Sequence, residues 1–182
     1  MLKSYKKNIR VIVIEPAIQR PSFDRARPNG NLGPAYLVGA LRQHGIEVDY
    51  LDATVGENGR DLKETFYNRK ELENGHVRFG MSADELPKIF SNYDIVATSS
   101  IFSAQTRMQF EVAAIAAKVS KENGKKILTI SGGVNARALR EHFLSNGFDI
   151  IALGEGERTI VQIVDEFSSN KPDYSKVERI AF

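Results

Sequence analysis

The chain has 182 residues, of which 42% are hydrophobic and 26% charged, and its formal net charge is +2. This is the composition of an ordinary soluble globular protein of one domain, and the near balance of charge gives no sign of a nucleic-acid or membrane partner. The sequence contains no cysteine, which excludes disulfides, a cysteine nucleophile and an iron–sulfur cluster held by its own thiolates. No apolar run is long enough to span a bilayer and no signal-peptide pattern is present, so we expect a cytoplasmic protein.

Five short runs rich in Val and Ile predict buried strands, at residues 10–14, 46–51, 94–98, 126–131 and 149–153. Because these runs are nearly continuous rather than alternating, they favour a parallel sheet covered on both faces. Helical patterns separate them, with apolar residues at 3.6-residue spacing. The alternation predicts a doubly wound, flavodoxin-like (Rossmann-like) α/β fold, a five-stranded parallel sheet in the order 2-1-3-4-5 with helices on both faces.

The helical stripes give a candidate core. They are Leu37, Val38 and Leu41; Val112, Ile115, Ala116 and Val119; Leu139 and Phe143; and Ile160, Ile163, Val164 and Phe167.

One domain is expected over residues 1–182, with its core at about 9–168. The long loop at 15–31 follows the first strand and is interpreted as functional because of its length and position. Residues 53–81 form a polar insertion in which a short helix is predicted at about 61–68. The polar tail, residues 169–182, is expected to lead to a following domain that this chain does not contain.

Two of the predicted strands break into glycines just before a helical pattern begins. Gly132 and Gly133 follow Ser131, and the last strand runs into Gly154-Glu155-Gly156-Glu157. Glycine allows the backbone to approach a ligand closely, and ligands of open α/β sheets bind at the carboxyl ends of the strands. The sequence therefore predicts a binding site at that edge.

Several familiar α/β sites are excluded by what the loops contain. No P-loop is present, and the turn after the first strand, Glu15-Pro16-Ala17, is neither a dinucleotide fingerprint nor the hydroxyl-rich turn of an FMN site. The third strand ends in Thr98-Ser99-Ser100, without the acceptor aspartate of a receiver domain. The histidines, His44, His76 and His142, are scattered, so no metal site or catalytic triad is predicted.

What remains at the carboxyl edge is glycine, hydroxyl, amide and apolar character, which suits a large and mostly neutral ligand with amides on its rim. The candidate residues after the third strand are Ser99, Ser100, Ile101, Phe102, Ser103 and Gln105. Those after the fourth and fifth strands are Ser131, Gly132, Gly133, Val134, Gly154, Glu155, Gly156 and Glu157. Small residues around the fourth strand predict a gap between sheet and helix for a slender tail.

At these residues the chain resembles the cobalamin-binding domain at the amino-terminal end of B12-dependent radical S-adenosylmethionine enzymes. The order and spacing of the matching elements carry the resemblance over almost the whole chain. The elements are Asn31-Leu32-Gly33-Pro34-Ala35-Tyr36-Leu37, Gly45-Ile46-Glu47-Val48 with Asp52, Phe79-Gly80-Met81-Ser82, Asp94-Ile95-Val96-Ala97 with Ser99-Ser100, Ser131-Gly132-Gly133 and Gly154-Glu155-Gly156-Glu157.

The resemblance implies base-off cobalamin whose nucleotide tail passes Gly132 and Gly133, with Leu32 and Gly33 among the cofactor-binding residues. Ser99 and Ser100 would meet the polar groups of the tail, and residues 154–157 would border its base. The corrin ring would lie over the ends of strands one, three and four. Residues 15–31 contain no histidine, so no protein imidazole is expected on cobalt. Its lower face is expected to be open, water-bound or shielded by a side chain from residues 101–105.

In the parent enzyme the resemblance implies a radical S-adenosylmethionine barrel domain in cis. That domain would hold a [4Fe-4S] cluster and S-adenosylmethionine, neither of which this chain binds, and the reaction would be methyl transfer or a radical rearrangement. No catalytic residue is expected in this chain.

Two alternatives stay open. One is a cobalamin-free interaction or assembly module. The other is a small-molecule enzyme that uses Glu155 and Glu157 as an acid/base pair, which requires a raised carboxyl pKa. Carboxylates in the first turn of a helix are favoured by the helix dipole whatever the function, so a structural role suits both residues better.

Overall fold

Two β-sheets organise the chain in the computed structural model, which describes residues 9–28 and 30–182. The strands are β1 (Val11–Glu15), β2 (Ile18–Pro21), β3 (Val48–Asp52), β4 (Lys70–Glu71), β5 (His76–Phe79), β6 (Ile95–Ser99), β7 (Leu128–Gly132), β8 (Ile150–Ala152) and β9 (Ile180–Ala181). The helices are α1 (Leu32–Gln43), α2 (Leu86–Phe90), α3 (Thr106–Asn123), α4 (Val134–Ala138), α5 (Arg140–Ser145) and α6 (Gly156–Phe167). Within the described ranges, none of these helices has both the length and the apolar character needed to cross a bilayer.

The central sheet has the strand order β3-β1-β6-β7-β8-β9. Its first five strands are parallel and follow the predicted order 2-1-3-4-5, which confirms the doubly wound, flavodoxin-like architecture. The sixth strand, β9, comes from the polar tail and pairs antiparallel with β8. The tail also packs against the domain, because Val177 is buried and Tyr174 and Ile180 contact the main core cluster.

Helices cover both faces of the central sheet. On one face α1 and α6 pack over Val13, Ile95 and Ile130, and on the other α2 and α3 cover Ile12 and Val96. Successive residues of each strand point alternately into the cores on the two faces of the sheet, which is why the strand segments are continuously apolar in sequence.

The predicted helical stripes are mostly confirmed. Leu139 is an exception, being 40% exposed at the junction of α4 and α5. Its backbone, at φ −110° and ψ 30°, leaves the helical region and separates the two short helices, so it does not share the buried face of Phe143.

The polar insertion contributes to the second, smaller sheet. This sheet has the order β2-β5-β4 and is antiparallel. The short helix predicted at 61–68 is absent; that segment is a series of turns. Asp61 accepts a hydrogen bond from the Lys63 amide, which is a local turn interaction that competes with helix. Phe66 of this segment packs on Phe79 at a ring-centroid distance of 5.4 Å.

A buried arginine joins the smaller sheet to the main domain. Arg78 on β5 is only 4% exposed and donates from Nε to the carbonyl oxygen of Met81 at 2.8 Å. Its Nη1 forms an ion pair with Glu111 on α3. The smaller sheet is therefore fixed against α3, beside the carboxyl edge of the central sheet.

Candidate ligand site at the carboxyl edge

A narrow cavity of about 170 Å³, which we call the slot, lies between the carboxyl ends of β6, β7 and β8 and the helices α1 and α6. Seven of the predicted site residues line it: Gly33, Ser99, Gly132, Gly133, Gly154, Gly156 and Glu157. Its other seven lining residues are not among the predicted ones, and they are Leu37, Ala97, Thr98, Ile130, Ala152, Ile160 and Ile163. The slot lies where the sequence predicts a gap beside the fourth parallel strand.

The slot exists because the residues on one face of three neighbouring strands become smaller toward the carboxyl ends of the strands. On the face toward α1 and α6, β7 runs from Leu128 through Ile130 to Gly132. The same face carries Ile95, Ala97 and Ser99 on β6, and Ile150, Ala152 and Gly154 on β8 and the loop that follows it. The amino-terminal half of this face is thus filled by side chains, whereas the carboxyl-terminal half is left open.

Backbone geometry at Gly133 holds the loops after β6 and β7 together. Gly133 has φ 91°, and a Cβ there would lie 2.5 Å from the carbonyl oxygen of Ser100. That oxygen accepts the Asn135 amide at 3.1 Å, while the Ser100 amide donates to the carbonyl oxygen of Gly132 at 2.8 Å. Only glycine fits this close approach without strain.

Two predicted ligand-contacting hydroxyls are engaged inside the protein. Ser100 is 1% exposed, and its Oγ accepts from Asn135 Nδ2 at 2.8 Å. Ser131 is fully buried, and its Oγ accepts from Thr98 Oγ1 at 3.0 Å. Both side chains shape the rim from within, and neither lines a described pocket at this edge.

A second cavity of about 410 Å³, which we call the wider pocket, lies next to the slot, and Ser99 lines both. The predicted residues Leu32, Ile101, Phe102 and Gln105 also line it. Its remaining lining residues are not among the predicted ones, and they are Glu15, Ile18, Arg20, Arg27, Gly30, Asn31, Thr54, Phe66 and Gln109. Its volume falls in the range of small-molecule and cofactor sites.

The Gln105 side chain, in the wall of the wider pocket, is held by hydrogen bonds to the backbone of β2. Its Oε1 accepts the Gln19 amide at 2.9 Å, and its Nε2 donates to the Gln19 carbonyl at 3.1 Å. The side chain therefore pairs with the β2 backbone as another strand would. Phe102, by contrast, is 69% exposed at the same loop.

Glu15 gives the wider pocket a carboxyl group of unusual acidity. Burial, helped by the neighbouring Asp52 carboxylate, raises its pKa to about 7 against the lowering effect of the hydrogen bond from Asn31. Asn31 Nδ2 donates to Glu15 Oε2 at 3.0 Å, and Asn31 Oδ1 caps α1 by accepting the Gly33 amide at 3.1 Å. The end of β1 and the beginning of α1 are thereby tied together.

Other predicted positions lie at the rim. Ser103, Val134 and Glu155 line neither the slot nor the wider pocket, and Val134 is 53% exposed. All three histidines of the sequence are described, and none lines either cavity. Within residues 9–28 and 30–182, no group of three or more His, Cys, Asp or Glu side chains has the arrangement of a metal site.

Some of the slot residues that were not predicted could have been identified from the strand pattern in the sequence. Ala97 and Ala152 fall at every second position of their strands, in phase with Ile95 and Ile150, so a search for small residues at the carboxyl end of one strand face finds them. Gln109 of the wider pocket has no such signal, because a glutamine in the first turns of a helix is ordinary surface composition.

Comparisons with known proteins add only distant structural likenesses. No family model matches the chain, and no curated protein matches it. The receiver domain of the histidine kinase CKI1 from Arabidopsis thaliana has a TM-score of 0.48 and 14% identity over 89% of this chain and 91% of that one. A β-glucosidase, EmGH1 from Erythrobacter marinus, has a TM-score of 0.38 and 13% identity over 79% of this chain and 22% of that one. Neither likeness bears on ligand or activity.

Proposed function

We propose that this chain binds cobalamin in its base-off form, as the amino-terminal module of a B12-dependent radical S-adenosylmethionine enzyme. One observation supports the proposal: the side chains on the strand face beside β7 become smaller and leave a slot next to a wider pocket. The slot would take a slender tail, and the wider pocket would take part of a broad ring. Three of the elements that resemble this family, Ser99-Ser100, Gly132-Gly133 and residues 154–157, lie at the same edge of the sheet.

The residues around the slot fit a flat aromatic base. A cavity of about 150 Å³ holds one benzene ring, so the slot, at about 170 Å³, has room for one ring of such a base, and the rest would extend to the mouth. Its walls are mainly aliphatic, with Ile130, Ile160 and Ile163 below and glycines near the mouth. At Gly156 a Cβ would lie 2.9 Å from Leu37 Cδ2, so a larger residue there would require the Leu37 side chain to shift.

In the proposed complex, Gly132, Gly133 and Gly154 would border the nucleotide tail. Ser99 would offer its hydroxyl between the tail and the ring, while Ile101 and Phe102 would cover apolar ring surface. When bound, cobalamin supplies a cobalt–carbon bond for methyl transfer or radical chemistry. The task of this chain is to hold the cofactor, orient it and exclude water from one of its faces.

The lower face of cobalt would receive no imidazole from this chain. His44 lies at the end of α1, His76 on β5 and His142 on α5, and none of the three lines the slot or the wider pocket. We expect the EPR spectrum of bound cob(II)alamin to lack superhyperfine splitting from an axial nitrogen. Such splitting from a protein imidazole would contradict this part of the proposal.

The rest of the proposal concerns the parent enzyme. Because this chain contains no cysteine, the [4Fe-4S] cluster and S-adenosylmethionine would belong to a barrel domain in cis. The reaction would be methyl transfer or radical rearrangement, and its place the cytoplasm.

Binding is tested by incubating the purified chain with hydroxocobalamin, desalting it and recording the visible spectrum. We expect the corrinoid to be retained by the native chain. Gly132→Leu, which places a bulky side chain in the slot, should reduce retention at least tenfold, because the base and the new side chain compete for one space.

Gly39→Leu is the matched control, since Gly39 lies on the outer face of α1 with nothing within 4 Å of its Cβ position. It should bind as the native chain does, and circular dichroism should show both variants folded. A native chain that loses all colour on desalting contradicts the proposal and favours the cobalamin-free interaction module. Equal retention by Gly132→Leu shows that any bound corrinoid lies elsewhere.

A further inference from the structure

Two arginines give the wider pocket a positive charge. Arg20 on β2 and Arg27 in the loop before α1 line it, and Glu15 is the remaining charged residue among the described lining residues. Burial raises the pKa of Glu15 to about 7, so its neutral form is favoured at pH 6. With two guanidinium groups against one carboxyl, the lining is positively charged whether or not Glu15 is ionised.

The two arginines differ in the partners that the chain gives them. Arg20 Nη1 donates to Asp24 Oδ2 at 3.1 Å, so a neighbouring carboxylate offsets part of its charge. Arg27 makes no ion pair, hydrogen bond or ring contact with any residue in the ranges 9–28 and 30–182. Its N–H donors therefore remain available to a ligand in the pocket.

The loop that carries Arg27 is held against the smaller sheet. The Asp24 amide donates to the carbonyl oxygen of Pro21 at 3.0 Å, and Ala26 packs against the apolar cluster of that sheet. Pro28 follows Arg27 and so disfavours a helical backbone there. A guanidinium on a restrained loop loses less conformational freedom when a ligand binds, which favours affinity.

Phosphate is the chemistry that matches both the pocket and the proposed cofactor. A guanidinium pairs with phosphate oxygens through two parallel N–H···O bonds. Cobalamin carries a single anionic group, the phosphodiester that joins its nucleotide base to the corrin ring. With the base in the slot and part of the ring in the wider pocket, that group would lie where the two cavities adjoin, and Ser99 lines both.

We propose that Arg27 and Arg20 form a phosphate-binding site in the wider pocket, which receives the phosphodiester of the nucleotide tail. The inference rests on the proposed cobalamin site and deepens it. Both arginines belong to the long loop at 15–31, and neither belongs to the elements that carry the family resemblance. The site thus gives a task to the loop that the sequence analysis interprets as functional.

The test is a set of calorimetric titrations at pH 6 with hydroxocobalamin and with cobinamide, which keeps the corrin ring and lacks the phosphodiester, ribose and base. Arg27→Gln should weaken hydroxocobalamin binding about fivefold or more and change cobinamide binding less than about twofold, because only hydroxocobalamin presents the anion. Arg20→Gln should act in the same direction by a smaller factor, since Asp24 already offsets its charge. Added salt should reduce the effect of Arg27→Gln.

Arg25→Gln is the matched control, because it removes the same charge from an exposed position of the same loop that does not line the pocket. It should bind both corrinoids as the native chain does. Equal hydroxocobalamin affinities of Arg25→Gln and Arg27→Gln overturn the inference and leave the cobalamin proposal intact. Equal weakening of both corrinoids by Arg27→Gln also overturns it, because the arginine would then act on the ring and not on the phosphate.

Inorganic phosphate gives a second readout that does not depend on cobalamin. Excess phosphate should raise the melting temperature of the native chain and of Arg25→Gln above that in chloride at the same ionic strength, and Arg27→Gln should lack this rise. The same response in all three chains contradicts a phosphate site at Arg27. A native chain that binds neither corrinoid overturns the proposed function, and the phosphate comparison then decides the inference alone.

Discussion

Glu15 at the carboxyl edge both holds neighbouring elements together, through its hydrogen bond with Asn31, and lines the wider pocket. Burial and the Asp52 carboxylate favour its neutral form, and they raise its pKa from 4.5 to about 7. The Tyr50 side chain shares this environment, because its pKa is also raised, first by burial and then by Asp52 and Glu15. The end of β1 is therefore sensitive to pH in the neutral range.

Glu15→Gln tests this sensitivity through stability. Between pH 4.5 and about 7 the unfolded chain releases the Glu15 proton while the folded chain retains it, so native stability falls as pH rises through this window. Above the window the cost is constant, at most about 3 kcal/mol and less to the extent that water reaches the carboxyl. The glutamine variant should therefore gain melting temperature over the native chain at pH 8 and little at pH 5.

Glu47→Gln, at an exposed position before β3, is the control. It should change the melting temperature by the same small amount at pH 5 and at pH 8. A Glu15→Gln gain that is the same at pH 5 and pH 8 would show that the Glu15 carboxyl does not titrate differently in the folded chain.

Gly133 carries a steric demand that thermal unfolding can measure. Its φ of 91° and the 2.5 Å that would separate an added Cβ from the Ser100 oxygen leave no room for alanine. Gly133→Ala should lose more than about 2 kcal/mol of unfolding free energy. Gly39→Ala, in an exposed helix interior, should instead gain up to about 1 kcal/mol. A Gly133→Ala variant as stable as the native chain would contradict the close approach of these two loops.

At the scale of elements, the smaller sheet depends on an ion pair with one buried partner. Arg78 has a side chain 5% exposed and Glu111 one that is 28% exposed, so water screens this pair poorly. Removing the charge of Glu111 leaves a buried guanidinium without its counter-ion, which is costly. The wider pocket has Phe66 and Ile18 of this subdomain in its wall, so the ion pair also supports the site.

Glu111→Gln should cost about 1–3 kcal/mol of unfolding free energy, measured by chemical denaturation. Glu122→Gln breaks an exposed pair, with Lys118, on the same helix and should change stability by less than about 0.5 kcal/mol. Equal effects of the two substitutions would mean that Arg78 finds another partner or water.

The elements differ in how far the sequence predicts them. The five parallel strands lie within two residues of the predicted ranges, because short, nearly continuous apolar runs between helical patterns leave few alternatives. The sequence does not predict β5, because this strand places Arg78 in the interior and a buried cation is invisible to hydrophobic patterning. The sequence does not predict β9 either, because two residues in a polar tail form a strand only where a sheet edge, here that of β8, pairs with them.

At the scale of the whole molecule, the sequence also predicts one part of the candidate site and not the other. The glycines that follow the fourth and fifth parallel strands predict the slot, because only glycine allows the backbone to approach a ligand closely and a glycine is read directly from the sequence. The glycines do not predict Glu15 and Gln109 in the wider pocket, because these two residues come together only where β1 and β6 are neighbouring strands and α3 packs on them. Ser100 and Ser131 illustrate the converse, because hydroxyls near a site look like ligand contacts until their internal hydrogen bonds are known.

A ligand that binds the folded chain alone must raise its stability. At a free concentration one hundred times the dissociation constant, cobalamin should add about 2.7 kcal/mol, or roughly 5–10 °C in melting temperature for a chain of this size. Gly132→Leu should show no such shift. A native chain whose melting temperature ignores saturating cobalamin would contradict binding to the folded state.

The tapering strands have one more consequence. Ala97, Gly132 and Ala152 are smaller than the residues that precede them on the same strand faces, so the aliphatic core stops short of the carboxyl edge. An aromatic base bound there would pack directly on Ile130, Ile160 and Ile163. Binding would then extend the hydrophobic core, so cofactor affinity and core packing would depend on the same side chains.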